Sequence, residues 1–344
     1  MSTVAATSSA QQTTRPWSIA VHAGAGDITR ATTDAKTDAA VRATLNAAIE
    51  AGGAVLDKGG SSVDAIEAAL RILEDSTLFD AGRGAVFTSD GKTELDAAIM
   101  DGSNLKAGAV AGVTRTKHPI SAARAVMDKS PHVMLIGAGA DTFAGHAGLE
   151  QVDPSFFFTE ARWQALVDQL KREGRPIPPR PAGAPPEPTT PPGPVSNFAI
   201  PVERHYGTVG AVALDRKGNI AAGTSTGGSQ GKLPGRVGDS PIIGAGTYAS
   251  NSSCAVSATG VGEYFIRLTV AREICTLVQY KGLTLQQAAD QVIHKELETL
   301  RGVGGVIALT PDGQMVWSFN TPGMNRAQLR EDGKVKIAVY GDEQ

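Results

Sequence analysis

The sequence predicts an α/β (α+β) protein whose β-sheets are covered by helices. Strand-like hairpins and pairs of helical segments occur on both sides of a proline-rich stretch at residues 176–194, and this arrangement is typical of sheet layers that bury one face against helices. Of the 344 residues, 41% are hydrophobic and 19% are charged, the usual composition of a globular protein. No repeat of roughly 20 to 50 residues is present, which argues against a solenoid.

The part of the chain before the proline-rich stretch is predicted to alternate strands with helices. Val41 and Leu45 follow the helical period, and Ser61 or Ser62 is a suitable N-cap for the next helix. The first strand is expected to end in a turn with the sequence HAGAG, at residues 22–26. The expected helices are 35–56, 63–73, 121–127, one that begins near residue 141, and 157–171; the expected strands are 18–22, 86–88, 95–100, 107–113 and 132–136.

The proline-rich stretch contains ten of the chain's 19 prolines. Because proline lacks the N–H that helices and central strands require, an exposed linker is expected at about residues 174–206. A turn at Lys217, Gly218 and Asn219 then joins two strands. The expected strands of this second part are 208–214, 220–224, 255–257, 306–309, 315–319 and 335–339, and the expected helices are 263–280 and 284–300.

Several classes of function are disfavoured by composition. The formal net charge of -3 gives no broad basic field for nucleic acid, and no apolar run of about 18 residues points to a membrane. Residues 1–16 are polar without an apolar stretch, so a disordered tail is expected rather than a secretory signal. Cys254 and Cys275 suggest neither a disulfide framework nor a zinc site, and a cytoplasmic location is expected.

The histidines and glycine motifs give no clear catalytic signal. The six histidines never occur at metal-ligand spacing, and His22 is interpreted as structural in preference to catalytic. The chain has no G-x-S-x-G elbow and no P-loop. Gly137 and Gly139 follow a predicted strand, but the third glycine of a dinucleotide-binding fingerprint is missing.

Thr208 is the most informative candidate, because it lies where the linker meets a predicted strand. A threonine hydroxyl is a weak nucleophile without a base, whereas an N-terminal threonine carries its own α-amino group with a pKa near ~8. Cleavage of the Gly207–Thr208 bond would create that amine. From these residues alone, a β-branched residue that simply opens a strand remains the more common alternative.

Several long motifs resemble the plant-type asparaginases, which are isoaspartyl peptidases of the N-terminal nucleophile hydrolase superfamily. GTVGAVALDRKGNIAAGTSTGG at 207–228, KLPGRVGDSPIIGAGTYA at 232–249 and SATGVGE at 257–263 carry the resemblance. Earlier matches occur in the same order: HAGAG, LEDSTLFDAGRGAVF, ELDAAIMDG, LKAGAVAGV and SPHVMLIG. The resemblance covers nearly all of 17–340 apart from the linker.

The resemblance implies a catalytic set around the cleavage site between Gly207 and Thr208. Thr208 corresponds to the nucleophile, and Thr226 corresponds to the threonine that contacts and orients it. Thr259 and Gly260 correspond to the oxyanion hole, with one hydroxyl and one backbone N–H. Donors of this kind face the negative charge that develops on the attacked carbonyl oxygen.

The resemblance also implies a substrate-binding set. Arg236 corresponds to the arginine that binds the substrate α-carboxylate, for which a planar guanidinium is well suited. Asp239 corresponds to the residue that binds the α-ammonium, and Gly260 and Gly262 line the same pocket. Without the resemblance, the spacing of Arg236 and Asp239 would suggest a surface ion pair.

A structural sodium ion is also implied, and no organic cofactor is expected. Hard oxygen donors such as backbone carbonyls are suitable ligands for such a cation. The implied donors lie between Leu73 and Arg83; they are the carbonyl oxygens of Leu73, Glu74, Ser76, Phe79, Ala81 and Arg83.

One position departs from the family pattern. Asp80 stands where the family typically has an asparagine beside the nucleophile. A carboxylate there would add negative charge near the oxyanion unless it is protonated or paired, and Arg83 is a possible partner. This departure bears on the rate of cleavage and catalysis, not on the fold.

As a whole, the resemblance implies a four-layer αββα sandwich formed by a single domain at 17–344. Self-cleavage would give an α subunit of 1–207 and a β subunit of 208–344, assembled as a dimer of αβ heterodimers. The implied activity is hydrolysis of β-aspartyl dipeptides and L-asparagine to L-aspartate. Two alternatives stay open: a glycosylasparaginase or threonine endopeptidase of the same superfamily, and an aspartate-binding protein silenced by Asp80.

Overall fold

The computed structural model describes residues 15–188 and 205–343. Most of the tail expected at 1–16 and the second half of the linker lie outside these residues. Residues 174–188 of the linker contain neither helix nor strand, whereas residues 205–206, which the prediction also assigned to the linker, already belong to a strand. The lack of both elements in 174–188 agrees with the high proline content there.

The described residues form two β-sheets and a set of helices. The strands are β1 (Ser18–Gly26), β2 (Leu95–Asp101), β3 (Ala107–Val113), β4 (Met134–Ile136), β5 (His205–Leu214), β6 (Ile220–Thr226), β7 (Thr247–Ala249), β8 (Ala255–Gly260), β9 (Gly304–Leu309), β10 (Met315–Phe319), β11 (Gly323–Arg330) and β12 (Lys336–Tyr340). The α-helices are α1 (Ala35–Asp57), α2 (Ser62–Asp75), α3 (Pro119–Lys129), α4 (Gly137–His146), α5 (Glu160–Arg172), α6 (Gly262–Leu268), α7 (Val270–Lys281), α8 (Leu285–Gln291) and α9 (Leu297–Thr299). A π-helical turn, Val292–Glu296, joins α8 to α9, and 3-10 turns lie at Gly82–Gly84 and Pro154–Phe157.

The larger sheet has eight strands in the order β12-β11-β1-β5-β6-β2-β3-β4, and the smaller sheet has four in the order β10-β9-β8-β7. Neighbouring strands are antiparallel, except that β3 and β4 run parallel. The hairpin of β5 and β6 lies at the centre of the larger sheet, where β1 and β2 flank it. The segment that follows the linker is therefore a central strand, protected on both edges.

Hydrophobic clusters hold the helices and sheets together. Helices α1, α2 and α3 pack on the larger sheet through residues such as Ile49, Ile66 and Leu70. Val212 and Ile307 belong to a second cluster formed by strands of both sheets. Helices α7 and α8 pack on the smaller sheet through a third cluster. Burial of one such side chain stabilises the fold by ~1.5–3 kcal/mol.

The N-cap predicted for the second helix, at Ser61 or Ser62, is confirmed. Ser61 caps α2, accepting a hydrogen bond from the backbone N–H of Asp64 at 3.1 Å, and Asp64 accepts one from the backbone of Ser61 in return. This capping box satisfies two N–H groups that the first turn leaves free. The helices and strands of the sequence analysis otherwise occur close to their predicted bounds.

Two short predictions in the first half were wrong. HAGAG is not a turn after β1 but its last part, with a bulge between His22 and Ala25 that leaves Gly24 at φ 101°. Glycine tolerates this conformation, so the strand continues past the bulge. Residues 86–88 form no strand; within them, only Thr88 makes a single bridge, to Lys232. The run was too short for its β-propensity to decide its structure.

Two predictions in the second half also need correction. The helix expected at 263–280 is broken into α6 and α7 by Thr269, which has left-handed dihedral angles of φ 48° and ψ 47°. Strands β7 and β11 were missed. β11 follows a turn without a marked apolar alternation, and its pairing with β1 and β12 places it in the sheet.

The expectation that the two cysteines form no disulfide was wrong. Cys254 and Cys275 are bonded, with Cα atoms 5.3 Å apart, within the usual range for disulfides. Packing of α7 against β8 brings them together, which a spacing rule for cysteine-rich domains cannot detect. Disulfides are rare in the cytoplasm, so the two cysteines no longer support a cytoplasmic location. The cytoplasmic location stays a prediction.

Candidate active site

The hairpin of β5 and β6 brings Thr208 and Thr226 together. The register pairs Val209 with Ser225, so the two threonines are the next opposed positions. Their hydroxyl oxygens are 3.1 Å apart and buried. Thr226 Oγ1 also accepts a hydrogen bond from the backbone N–H of Gly228 at 2.9 Å. The hydroxyl of Thr226 is thus fixed from one side and contacts Thr208 from the other.

The carbonyl of Gly207, which precedes Thr208, is held by Asp80. The backbone N–H of Asp80 donates to the Gly207 oxygen at 3.0 Å, and the Asp80 carbonyl accepts from the N–H of Gly227 at 3.0 Å. A Cβ on residue 207 would lie 2.5 Å from Asp80 Cβ, so only glycine fits there. An N–H aimed at this oxygen would stabilise negative charge if the Gly207 carbonyl were attacked.

The side chain of Asp80 is a buried carboxyl group with a perturbed pKa. Burial raises its pKa, while the charge of Arg162 and a hydrogen bond from the Val86 N–H oppose the rise. That hydrogen bond reaches Asp80 Oδ1 at 2.9 Å. The raised pKa keeps the carboxyl protonated over a wider pH range than an exposed aspartate.

The arginine with the largest effect on the pKa of Asp80 is Arg162, not Arg83 as the sequence suggested. Arg83 is exposed and stacks on the ring of Phe156 at 5.5 Å. Arg162 is 5% exposed, and its Nε donates to the Gly84 carbonyl at 2.9 Å. Sequence reasoning missed Arg162, although its helical period places it on the apolar face of α5 with Leu166.

Thr259 and Gly260 end β8, which packs against β5 in the facing sheet. Thr259 is fully buried and pairs in register with Gly305 of β9. Both predicted oxyanion-hole residues therefore belong to a strand that faces the strand of Thr208. The sheet packing brings these distant parts of the sequence to one region.

Arg236, Asp239 and Gly262 lie together. A Cβ on residue 262 would be 2.9 Å from Asp239 Oδ1 and 3.0 Å from Arg236 Nη2. The suggestion of an ion pair between Arg236 and Asp239 was wrong, because Arg236 pairs with Glu263 instead, at 3.0 Å. Gly228 connects this group to the threonines, since a Cβ there would be 3.2 Å from Arg236 Nη1.

One carboxylate oxygen of Asp239 can still accept a hydrogen bond inside this group. It is 5% exposed, and its Oδ2 is buried without a hydrogen-bond partner among the described residues. Burial raises its pKa to about 7, against the effects of its own backbone N–H and of Arg236. A buried carboxylate oxygen without a partner is a suitable acceptor for a cationic group of a ligand.

A buried hydroxyl network behind the threonines was missed by the sequence analysis. His22 Nε2 lies 2.9 Å from Ser257 Oγ, which is 2.7 Å from Thr224 Oγ1, and Thr247 Oγ1 continues the chain at 2.7 Å. Burial lowers the pKa of His22 to about 3, so its imidazole is neutral. Ser257 and Thr224 precede Thr259 and Thr226 by two residues, so their side chains share a face with them. The network fits the structural interpretation of His22.

The residues of the implied cation loop form a tight turn. Gly82 has φ 51°, and a Cβ there would be 2.3 Å from the Glu74 carbonyl oxygen. A Cβ on Gly84 would be 2.1 Å from the Phe79 oxygen and 2.8 Å from the Ser76 oxygen. Three of the six implied donors thus lie against the turn at Gly82–Gly84, and backbone oxygens are suitable ligands for a hard cation.

Two of the other implied donors already accept hydrogen bonds from the backbone. The carbonyls of Leu73 and Ala81 each accept one backbone hydrogen bond, from Ser76 and Gly84, at 3.3 and 3.1 Å. A carbonyl oxygen has a second lone pair, so these bonds leave room for a cation. Among the described residues, no group of three or more His, Cys, Asp or Glu side chains could hold a metal ion.

The buried side chain of Glu74 connects this loop to the threonine hairpin. Its Oε1 accepts from the Ile120 N–H at 2.9 Å and from Ser225 Oγ at 2.6 Å. Burial raises the pKa of Glu74 to about 8. Ser225 precedes Thr226, so Glu74 is bonded to the strand that carries one of the two threonines.

Within the two described stretches of the chain, no helix is long and apolar enough to cross a membrane. The sequence pattern of a family described as Asparaginase matches residues 15–339.

Curated isoaspartyl peptidases are similar to this chain over most of their length. The isoaspartyl peptidase of Escherichia coli (strain K12) is 47% identical over 309 residues, which cover 90% of this chain and 91% of the relative. The probable isoaspartyl peptidase/L-asparaginase 2 of Arabidopsis thaliana is 42% identical over 332 residues, covering 94% and 99%. The isoaspartyl peptidase/L-asparaginase of Xenopus laevis is 36% identical over 325 residues, covering 94% and 96%. Because the family pattern matches residues 15–339 and these relatives are similar over most of both chains, the chain belongs to the asparaginase family.

Proposed function

We propose that this protein is a self-cleaving threonine amidohydrolase that releases L-aspartate from β-aspartyl dipeptides and from L-asparagine. The observation that carries the proposal is the contact between the Thr208 and Thr226 hydroxyls, directly after a Gly207 carbonyl that accepts an N–H from Asp80. The names of the similar proteins, isoaspartyl peptidase and L-asparaginase, support the substrate class.

Self-cleavage begins with Thr208 Oγ and the carbonyl carbon of Gly207. The oxygen attacks the carbon, and negative charge develops on the Gly207 oxygen, where the Asp80 N–H donates. The C–N bond breaks, and the nitrogen takes up the proton that the hydroxyl lost. Water then hydrolyses the resulting ester, leaving a carboxylate on Gly207 and a free α-amine on Thr208.

In the mature enzyme, that amine is the base for Thr208 Oγ. Oγ attacks the side-chain carbonyl of the substrate, and Thr259 Oγ1 and the Gly260 N–H stabilise the oxyanion. Ammonia or an amino acid leaves, with the proton that the amine supplies. Water then cleaves the acyl-enzyme and releases L-aspartate.

Arg236 and Asp239 bind the constant part of the substrate. The α-carboxylate lies at the guanidinium, and the α-ammonium donates to the free Oδ2 of Asp239. An ammonium supplies the partner that this buried oxygen lacks. Gly262 leaves room for it, because any Cβ there would meet both Arg236 and Asp239.

The finer architecture is part of the same proposal. The layers follow the order αββα, supported by the hydrophobic clusters on both faces of the two sheets. They form one domain at 17–344, made of subunits 1–207 and 208–344. A sodium ion is held by the loop of Leu73 to Arg83 and stiffens it.

We also propose a dimer of αβ heterodimers. The support is the apolar edge of the larger sheet at β4, where Val133, Met134 and Ile136 are 54%, 38% and 67% exposed. An apolar strand at a sheet edge is a suitable surface for a second copy of the chain.

The test is the intact mass and N-terminal sequence of the purified protein over time, together with aspartate release from a β-aspartyl dipeptide. Two fragments, the second beginning Thr-Val-Gly-Ala-Val, and steady release of aspartate are expected. A chain that stays intact for days and binds aspartate without turnover would contradict the proposal. That outcome would favour a binding protein silenced by Asp80.

The carboxyl group of Asp80 is expected to slow self-cleavage. Asp80 contacts the Gly207 oxygen through its backbone N–H, and in Asp80→Asn the side chain of this residue carries no charge. Cleavage at alkaline pH should therefore be about tenfold faster, from a like-charge cost of ~1–2 kcal/mol. Because burial raises the pKa of Asp80, the wild type loses this charge as pH falls, and the ratio of the two rates should shrink with falling pH. The fraction of intact chain against time measures both rates.

Asp168→Asn, on an exposed part of α5, is the matched control and should cleave like the wild type. A ratio of Asp80→Asn to wild-type rates that is independent of pH would refute this account of Asp80.

The activity of the mature enzyme should depend on pH through the ionisation of the Asp239 carboxyl group. Its pKa of about 7 belongs to the substrate-free protein, and only the ionised form attracts the substrate ammonium. The kcat/KM for L-asparagine should therefore fall below pH 7, about tenfold for each pH unit well below it. Arg236, Glu263 and Asp96 are the charged groups that act on Asp239.

Succinamate separates this effect from titration of the Thr208 amine. It is L-asparagine without the α-ammonium, so its profile should keep any step caused by Thr208 and lack the step near pH 7. The same step in both profiles would show that Asp239 is not its source.

A further inference from the structure

Glu263 closes one edge of the Arg236 guanidinium. It lies in the first turn of α6, next to Gly262. Its Oε1 accepts from Arg236 Nε at 3.0 Å and its Oε2 accepts from Nη2 at 3.0 Å. These two parallel bonds are the fork geometry that arginine and carboxylate prefer. The residue that is proposed to bind the substrate carboxylate thus already has one carboxylate of the protein bound to it.

The other edge of the guanidinium faces backbone. Nη1 lies where a Cβ on Gly228 or Gly238 would come within 3.2 or 2.9 Å of it. Gly228 in turn donates its N–H to Thr226 Oγ1 at 2.9 Å. Since Nε and Nη2 are occupied by Glu263, the remaining donors are directed toward the side of the molecule that carries the catalytic threonines.

Pairing with Glu263 has little effect on folding but a large effect on orientation. The Glu263 side chain is 57% exposed and that of Arg236 is 17% exposed, and pairs near the surface contribute little to stability. A guanidinium held at two nitrogens, however, cannot rotate about its last torsions. A donor fixed before the ligand arrives avoids the entropy loss of ordering it on binding.

We propose that Glu263 is a positioning residue that fixes the plane of Arg236 and so determines how tightly the α-carboxylate of the substrate is bound. The inference rests on the proposed role of Arg236 in substrate binding. The carboxylate of Glu263 neutralises part of the arginine charge, so recognition depends on the geometry of the free donors. Selectivity for ligands with an α-carboxylate follows from this arrangement.

The alternative is that Glu263 only occupies the arginine until substrate displaces it. The two possibilities predict opposite effects of its removal. A positioning residue improves binding, so its loss weakens the affinity for aspartate. A competing carboxylate impairs binding, so its loss strengthens it.

The test is the Kd of L-aspartate for the purified protein, measured by calorimetry in the wild type and in Glu263→Gln. Glutamine has the shape of glutamate, but its side-chain N–H₂ group would face the N–H donors of Arg236 Nη2. Two donors cannot hydrogen-bond to each other, so one of the two bonds is lost. The Kd should rise about tenfold, the usual effect of losing one charge-assisted bond. The KM for L-asparagine should rise similarly, with kcat and the rate of self-cleavage nearly unchanged.

β-Alanine, which is aspartate without the α-carboxylate, is the ligand control and should bind equally to both proteins. Glu150→Gln is the protein control, because Glu150 also pairs with a cation, Lys117 at 2.9 Å, on a distant exposed surface. A Kd for L-aspartate that stays constant or falls in Glu263→Gln would overturn the proposal, as would a wild type that binds no aspartate.

Failure of the proposed function has a different signature. A wild type that binds L-aspartate but never releases it from a β-aspartyl dipeptide would reject the enzymatic activity. The comparison of Kd values would still decide the role of Glu263 in that case.

Discussion

Replacement of Thr208 by alanine should leave a folded, uncleaved chain without activity. The hydroxyl that attacks Gly207 is absent, so no α-amine forms, and neither nucleophile nor base exists for the substrate. Loss of at least about 10⁴-fold in turnover is expected, as for other enzymes that lack their nucleophile. Intact mass over several days and aspartate release from a β-aspartyl dipeptide are the two measurements.

The fold of this variant should persist. Thr208 lies on central strand β5, and its side chain contributes a single hydroxyl contact, to Thr226 at 3.1 Å. Thr208→Ser keeps the hydroxyl and should still cleave, although more slowly or incompletely. Thr142→Ala, on the exposed side of α4, should behave like the wild type. Turnover by an uncleaved Thr208→Ala protein would disprove the assignment of the nucleophile.

The second large effect is expected from Arg236→Met. The guanidinium lies in a narrow slot next to the backbone of Gly228, Gly238 and Gly262, and methionine fills part of it without a charge. Removing one partner of a desolvated charge pair costs ~2–5 kcal/mol, so kcat/KM for L-asparagine should fall about 10²–10³-fold. Most of the loss should appear in KM, because the α-carboxylate is remote from the attacked carbonyl.

Two comparisons isolate the carboxylate contact. Arg236→Lys keeps the charge but loses the planar fork, so its kcat/KM should fall between those of the wild type and Arg236→Met. β-Alaninamide, which has no α-carboxylate, should be hydrolysed poorly by the wild type and no worse by Arg236→Met. An equal loss for β-alaninamide and L-asparagine would mean that Arg236 supports the fold and does not bind the carboxylate.

Both effects depend on contacts between residues that are far apart in the sequence. Thr208 and Thr226 lie on neighbouring strands of one hairpin. The turn at residues 217–219 predicted the hairpin, and the family resemblance implied the contact between the two threonines. Arg236 and Glu263, by contrast, meet only because α6 follows β8 at the edge of the site. No local pattern relates residues 27 positions apart, and the spacing of Arg236 and Asp239, taken without the resemblance, suggested an ion pair between those two residues instead.

The partner of Asp80 shows the same limit. The sequence offered Arg83 because it is near in the chain, but the side chain of residue 83 points to Phe156 at the surface. Arg162 is supplied by α5, some eighty residues later, and the hydrophobic packing of that helix carries its guanidinium into the interior. Tertiary packing decides which charged side chains are buried next to each other, because only the complete fold excludes water from them.

The sequence alone determined the helices with clear periods and caps, the β5–β6 hairpin, the lack of helix and strand in the described linker residues 174–188 and, through long ordered motifs, the family. Those features depend on local periodicity, turn residues and backbone chemistry, which neighbouring residues specify. The tertiary structure decided the bulge after His22, the break at Thr269, strands β7 and β11, the Cys254–Cys275 disulfide and the charge partners of Asp80 and Arg236. Each of these features depends on which surfaces pack together. Burial changes the free energy of a charge, a thiol or a backbone turn, and a group becomes buried only when distant parts of the chain have packed against it.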